Sequence, residues 1–115
     1  MEFRDQAIAA RQASVELATL NRAQKDKALH AMADALKAAE PDLLEANEAD
    51  VANARSAGTD EAIVDRLTLT TARIDAMVQG LRDLAALPDP VGDVVRGWKL
   101  PNGVSVRQVR VPFGV

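Results

Sequence analysis

The chain has 115 residues, 48% of them hydrophobic, with three aromatics (Phe3, Trp98 and Phe113), no cysteine and a formal net charge of −3. That length suits one domain rather than two, and the lack of cysteine excludes disulfides, thiolate metal sites and a cysteine nucleophile within these residues. Ten Lys/Arg stand against sixteen Asp/Glu up to Pro90, and four against one from Val91 onward; this acidic body with a short basic tail lacks the basic, aromatic-interleaved face of a nucleic-acid binder.

The first ninety residues read as successive helices. Asp5 to about Leu20 is Ala-rich, with Phe3, Ala7, Ala10, Ser14 and Leu17 at helical spacing on one side. Asn21, with Gln24 three residues on, has the form of a capping box opening a second helix. That helix carries Ala28, Leu29, Met32, Ala33, Leu36 and Ala39 on one stripe. Glu40-Pro41 interrupts the pattern. Proline lacks the N–H and clashes with the preceding turn, so a third helix is expected to start with Pro41 in its first turn. Its inward stripe is Leu44, Asn47, Val51 and Ala54, and Gly58 is placed to close it in a left-handed cap. A short helical turn from about Asp60 to Arg66 follows. Thr70 or Thr71 then caps a final helix with Ile74, Met77, Val78, Leu81, Leu84 and Ala85 on one face, ended by Pro88 and Pro90.

Beyond Pro90 the period changes. Asn102-Gly103 lies between two β-prone segments, a hairpin signal that predicts a type I′ turn. Val104 and Val106 share one phase of the second strand, Val109 and Val111 the other, so a bulge is expected near Arg107-Gln108. A lone hairpin is marginal in water. The strand running to Val115 therefore reads as unfinished, its edge favouring self-association. The fold expected is mainly α, with four to five amphipathic helices over residues 1–90 and a β-hairpin with the start of a further strand over 91–115.

Few residues point to chemistry. His30 is the single histidine, with no second His or Cys for a metal site, so a structural role is expected. Asp42, Glu45 and Glu48 read as a solvated face. The six glycines are scattered, and none forms a phosphate-cradling loop after a strand. In Asp65-Arg66-Leu67 the arginine could hold an anion or form an ion pair tying the short helix to its neighbour. No catalytic, cofactor-binding or metal-binding residue is assigned. The start, Met1-Glu2-Phe3-Arg4-Asp5, has no signal-peptide core and no stretch approaches a membrane span, which leads to the expectation of a soluble cytoplasmic protein.

Several segments in order carry a family resemblance. Leu43-Leu44-Glu45-Ala46-Asn47-Glu48-Ala49-Asp50, Ser56-Ala57-Gly58 and Val64-Asp65-Arg66-Leu67-Thr68-Leu69-Thr70 resemble the N-terminal helices of glutamate-5-semialdehyde dehydrogenases, also called gamma-glutamyl phosphate reductases, of the aldehyde dehydrogenase superfamily. Arg73-Ile74, Leu87-Pro88-Asp89-Pro90-Val91-Gly92, Asn102-Gly103 and Arg110-Val111-Pro112-Phe113-Gly114-Val115 continue the match, which runs from about Leu17 to the last residue. The resemblance implies the N-terminal portion of an α/β enzyme that reduces gamma-glutamyl phosphate to glutamate 5-semialdehyde in proline biosynthesis. It also implies NADP(H) as cofactor, a catalytic cysteine and homo-oligomeric assembly. In such enzymes that cysteine and the cofactor-binding strands lie beyond the position of Val115, so an inactive fragment that binds no cofactor is expected. A self-standing helical interaction module is the alternative, and the reading frame after Val115 discriminates the two.

Overall fold

The computed structural model describes residues 2–113, in which five helices precede a two-stranded antiparallel sheet. The helices are α1 (Phe3–Leu17), α2 (Arg22–Ala38), α3 (Glu40–Ser56), α4 (Glu61–Leu67) and α5 (Thr71–Ala86), and the strands are β1 (Val94–Lys99) and β2 (Ser105–Val109). The expected mainly helical chain with a terminal hairpin is therefore present. Residues 23–87 form one compact unit, and residues 1–22 with 88–115 form another.

In the helical unit the ends of α3 and the starts of α4 and α5 have local causes. Pro41 sits in the first turn of α3, where its missing N–H costs nothing. The end of α3 is a Schellman closure. Gly58, at φ +75°, donates its N–H to the Arg55 carbonyl (3.0 Å), and the Thr59 N–H reaches the Ala54 carbonyl (3.1 Å). The Asp60 side chain then caps α4 by accepting from the Ala62 N–H, and Thr70 caps α5 by accepting from the Arg73 N–H.

The core lies where α2 and α5 face each other. Ala33 meets Ile74 and Val78, with Leu36, Leu43, Leu44 and Leu81 packed around them. Val64 and Ile74 are the largest fully buried side chains, each contributing roughly 1.5–3 kcal/mol by leaving water. The apolar stripes are wider than the surface they bury. Met32, Met77 and Leu84 stay exposed, as does Ala28, because only the centre of each stripe meets a neighbouring helix. On α3 the expected residues do turn inward: Asn47 and Val51 are buried, Leu44 and Ala54 half-buried.

In the other unit, α1 starts two residues before the expected Asp5 and ends at Leu17, and none of its residues is buried. The hairpin differs from expectation at its turn. Among the described residues no non-glycine residue has positive φ, so Asn102 does not take the type I′ conformation. Instead the Gly103 N–H donates to the Leu100 carbonyl (2.9 Å) and the Leu100 N–H to the Val104 carbonyl (2.8 Å), which closes a three-residue loop with Gly103 at φ +88°. Pro101 explains the choice. Its fixed φ suits the first central position of a type I turn, and glycine then supplies the left-handed residue that follows.

A bulge is present where the valine phase slips, but the extra residue is Val95 on β1. Val94 pairs with Val109 and Arg96 with Gln108, while β2 runs without insertion. Pairing extends past β2 through Arg110, whose backbone bonds Gly92 and Asp93. Residues Val111 to Phe113 form no strand, and Gly114 and Val115, expected to continue one, lie outside the described residues.

Candidate functional site

The densest polar arrangement surrounds the linker between α4 and α5. Asn47, on the inner face of α3, is 8% exposed. Its Nδ2 donates to the Leu67 carbonyl (2.9 Å) and its Oδ1 accepts from the Leu69 N–H (2.7 Å). Arg73, in the first turn of α5, holds the linker as well. Its guanidinium pairs with the Asp65 carboxylate (3.1 Å) and donates to the carbonyls of Asp65 and of Thr68, the latter at 2.6 Å. Asn47 Nδ2 and both terminal nitrogens of the Arg73 guanidinium thus bond backbone or carboxylate, which makes the cluster a structural clamp.

The second polar junction joins α2, α3 and α5. The Lys37 Nζ lies 2.6 Å from both Glu40 Oε2 and Asp75 Oδ1. Hydrogen bonds to Asp75 and then to Glu40 hold the Lys37 ammonium above the ordinary lysine range. The bond from Lys37, followed by that from Thr71, holds the Glu40 carboxyl below the ordinary glutamate range. A lysine whose proton is held by two carboxylates is a poor nucleophile, so this junction also has a structural rather than a reactive character.

The hairpin offers open apolar surface. A cleft of about 430 Å³ is lined by Pro90, Val91, Val95 and the run from Gln108 to Val111. Arg96 lies over the Trp98 ring, 5.1 Å from its centroid. A second open hollow of about 390 Å³ runs along α1 beside Ala10, Ala13, Leu17 and Leu20.

The remaining residues singled out in the sequence sit apart from these features. His30 is exposed on α2, and Asp42, Glu45 and Glu48 are exposed on α3. Of Asp65-Arg66-Leu67, the arginine expected to hold an anion or to form the ion pair is exposed and, among the described residues, makes no ion pair; it is Asp65 that ties α4 to α5, through Arg73. Arg73 carries no signal of this role in the sequence beyond its place three residues after the capping threonine. Asn47 had one, as a lone amide in an apolar stripe. Among the described residues no helix is long and apolar enough to cross a membrane, and no group of three or more His, Asp or Glu residues is placed to hold a metal ion.

No protein-family profile matches the chain. Individual proteins do. It is 52% identical over 114 residues to a gamma-glutamyl phosphate reductase of Thermobifida fusca, covering 99% of this chain and 27% of that protein. It is 54% identical over 111 residues to the reductase of Cutibacterium acnes, again covering 27% of it. The crystal structure of the Thermotoga maritima gamma-glutamyl phosphate reductase superposes with a TM-score of 0.89 at 37% identity, covering 97% of this chain and 27% of that one. The Saccharomyces cerevisiae enzyme gives 0.85 at 35% identity, covering 97% and 29%. The chain is homologous to the N-terminal portion of gamma-glutamyl phosphate reductases. It spans about a quarter of their length. The match takes in nearly the whole chain, α1 included, and so reaches further forward than the resemblance from Leu17 onward.

The described residues do not fit a dinucleotide cofactor. A dinucleotide site needs a strand, a glycine-rich turn and a helix whose N-terminus faces the phosphates. Here the positive-φ glycines stand singly, Gly58 after a helix, Gly92 in the turn before β1 and Gly103 in the hairpin turn.

Proposed function

We propose that this chain serves as the N-terminal scaffold of an NADP-dependent reductase that converts gamma-glutamyl phosphate to glutamate 5-semialdehyde, with release of phosphate, in proline biosynthesis. The carrying observation is the conjunction of 52% identity over 99% of the chain with a TM-score of 0.89 to a solved gamma-glutamyl phosphate reductase. The nucleophile that suits such a reaction is a cysteine, because a thiolate attacks an acyl phosphate readily and leaves readily. These 115 residues contain none, so the segment contributes packing surface and no reacting group. In this reading residues 1–90 act as a helical support, residues 91–115 as a hairpin that joins further β structure, and the assembled enzyme is a cytoplasmic homo-oligomer.

Support comes from the physical state of the surfaces. Apart from half-buried Val106, every residue of the hairpin strands is exposed, and the large apolar side chains of α1 are uncovered. Such faces gain stability only against further protein. The test exchanges this chain for the corresponding segment of the Thermobifida fusca enzyme. The chimera is expected to oxidise NADPH in the presence of gamma-glutamyl phosphate, and the chain alone is expected not to. A folded but inactive chimera, or turnover by the isolated chain, overturns the proposal.

A further inference from the structure

The hairpin tip carries a reactive pair. Asn102 is followed by Gly103, both exposed, and a Cβ added at Gly103 would meet nothing within 4 Å. The Asn102 Oδ1 accepts a hydrogen bond from the Val104 N–H at 3.1 Å. That bond folds the side-chain amide back along the backbone of the two residues that follow. It also aims a donor at the oxygen that would gain negative charge if that carbon were attacked.

We infer that Asn102 is a site of spontaneous covalent modification, cyclising onto Gly103 and opening to aspartate or isoaspartate. The Gly103 nitrogen adds to Cγ of Asn102, forming an N–C bond. The Cγ–Nδ2 bond breaks, and Nδ2 leaves as ammonia with a proton equivalent to the one Gly103 gives up. Water then opens the succinimide ring at either carbonyl, its hydroxyl going to carbon and its proton to nitrogen. Nothing is oxidised or reduced, and water is the only co-reactant. Glycine matters twice, since no side chain hinders the attack and none shields the ring from water. The one contact that opposes the reaction is the bond from the Gly103 N–H to the Leu100 carbonyl, 2.9 Å, which must open first. It lies at the tip of a solvent-exposed two-stranded ribbon, where local opening is cheap. The product adds a negative charge to the basic tail. The isoaspartate form also lengthens the backbone within a three-residue loop whose register depends on its length.

The test incubates the folded chain in mildly alkaline buffer and follows the tryptic peptide from Leu100 to Arg107 by mass spectrometry, beside the same peptide made synthetically. The folded chain is expected to accumulate the aspartate and isoaspartate forms as separate peaks, and Asn102→Gln is expected to abolish both. Failure of the folded chain to convert while the free peptide converts completely overturns the inference. So does conversion that persists in Asn102→Gln.

Discussion

Replacing Asn47 with alanine tests what holds the helical unit together. The side chain is buried and makes two hydrogen bonds to the linker, to the Leu67 carbonyl and from the Leu69 N–H. Each such bond contributes about 0.5–1.5 kcal/mol net, and each backbone group left unpaired in a buried setting costs about 1–3 kcal/mol. Leu69 is half-buried and Leu67 exposed, so water partly reaches the abandoned groups, and the loss expected is about 2–3 kcal/mol. Against a domain stability of about 5–15 kcal/mol that is a large fraction. With a urea slope of about 1–3 kcal/mol/M the unfolding midpoint falls by about 1 M or more, at unchanged slope. Equilibrium urea unfolding followed by far-UV circular dichroism measures it. Asn53→Ala is the control, since Asn53 lies on the same helix but is exposed. A loss below about 0.5 kcal/mol, indistinguishable from that control, refutes the clamp.

Two further outcomes follow from the polar junctions. Arg73→Ala is expected to cost about 1–2 kcal/mol, because it removes bonds to two backbone carbonyls as well as the carboxylate. Asp65→Ala removes only an exposed ion pair and is expected to cost less than about 1 kcal/mol, and equal losses by urea unfolding would contradict this ordering. The Lys37 junction gives a pH signature with a definite sign. Glu40 is held below its ordinary value of 4.5, so its contribution is present above that pH and disappears as the pH falls through the folded-state value. Lys37 is held above 10.5, so its contribution is present below that pH and is lost on further rise. Lys37→Met is expected to flatten both limbs of a thermal-midpoint profile against pH, and unchanged limbs would show that the junction is not coupled to folding.

Some of this was legible in the residues themselves, for identifiable reasons. Pro41, Gly58 and Thr70 announce helix ends because each has one backbone consequence that depends on its neighbours hardly at all. Periodicity announced the buried faces but overstated their width. Met32, Met77 and Leu84 keep helical spacing with Ala33, Ile74 and Val78, yet what covers a stripe is decided by the neighbouring helix. The valine slip in β2 revealed a bulge without revealing its strand, since an extra residue on either partner shifts the pairing equally. At the hairpin tip the Asn-Gly signal was overridden by Pro101, one position upstream. As for a functional centre, the residue chemistry gave no catalytic assignment, and the ordered family segments alone pointed to a reductase.

The last turn of α4 and the start of the linker after it, Asp65 to Leu69, have a consequence for how the molecule comes apart. The carbonyls at 65, 67 and 68 and the N–H at 69 are held by side chains of α3 and α5 rather than by a neighbouring strand or helical turn. The linker residues Thr68 and Leu69 therefore share the protection of the helices around them. Their amides should exchange with solvent only when α3, α4 and α5 open together, so that the three helices and their connection behave as a single cooperative unit.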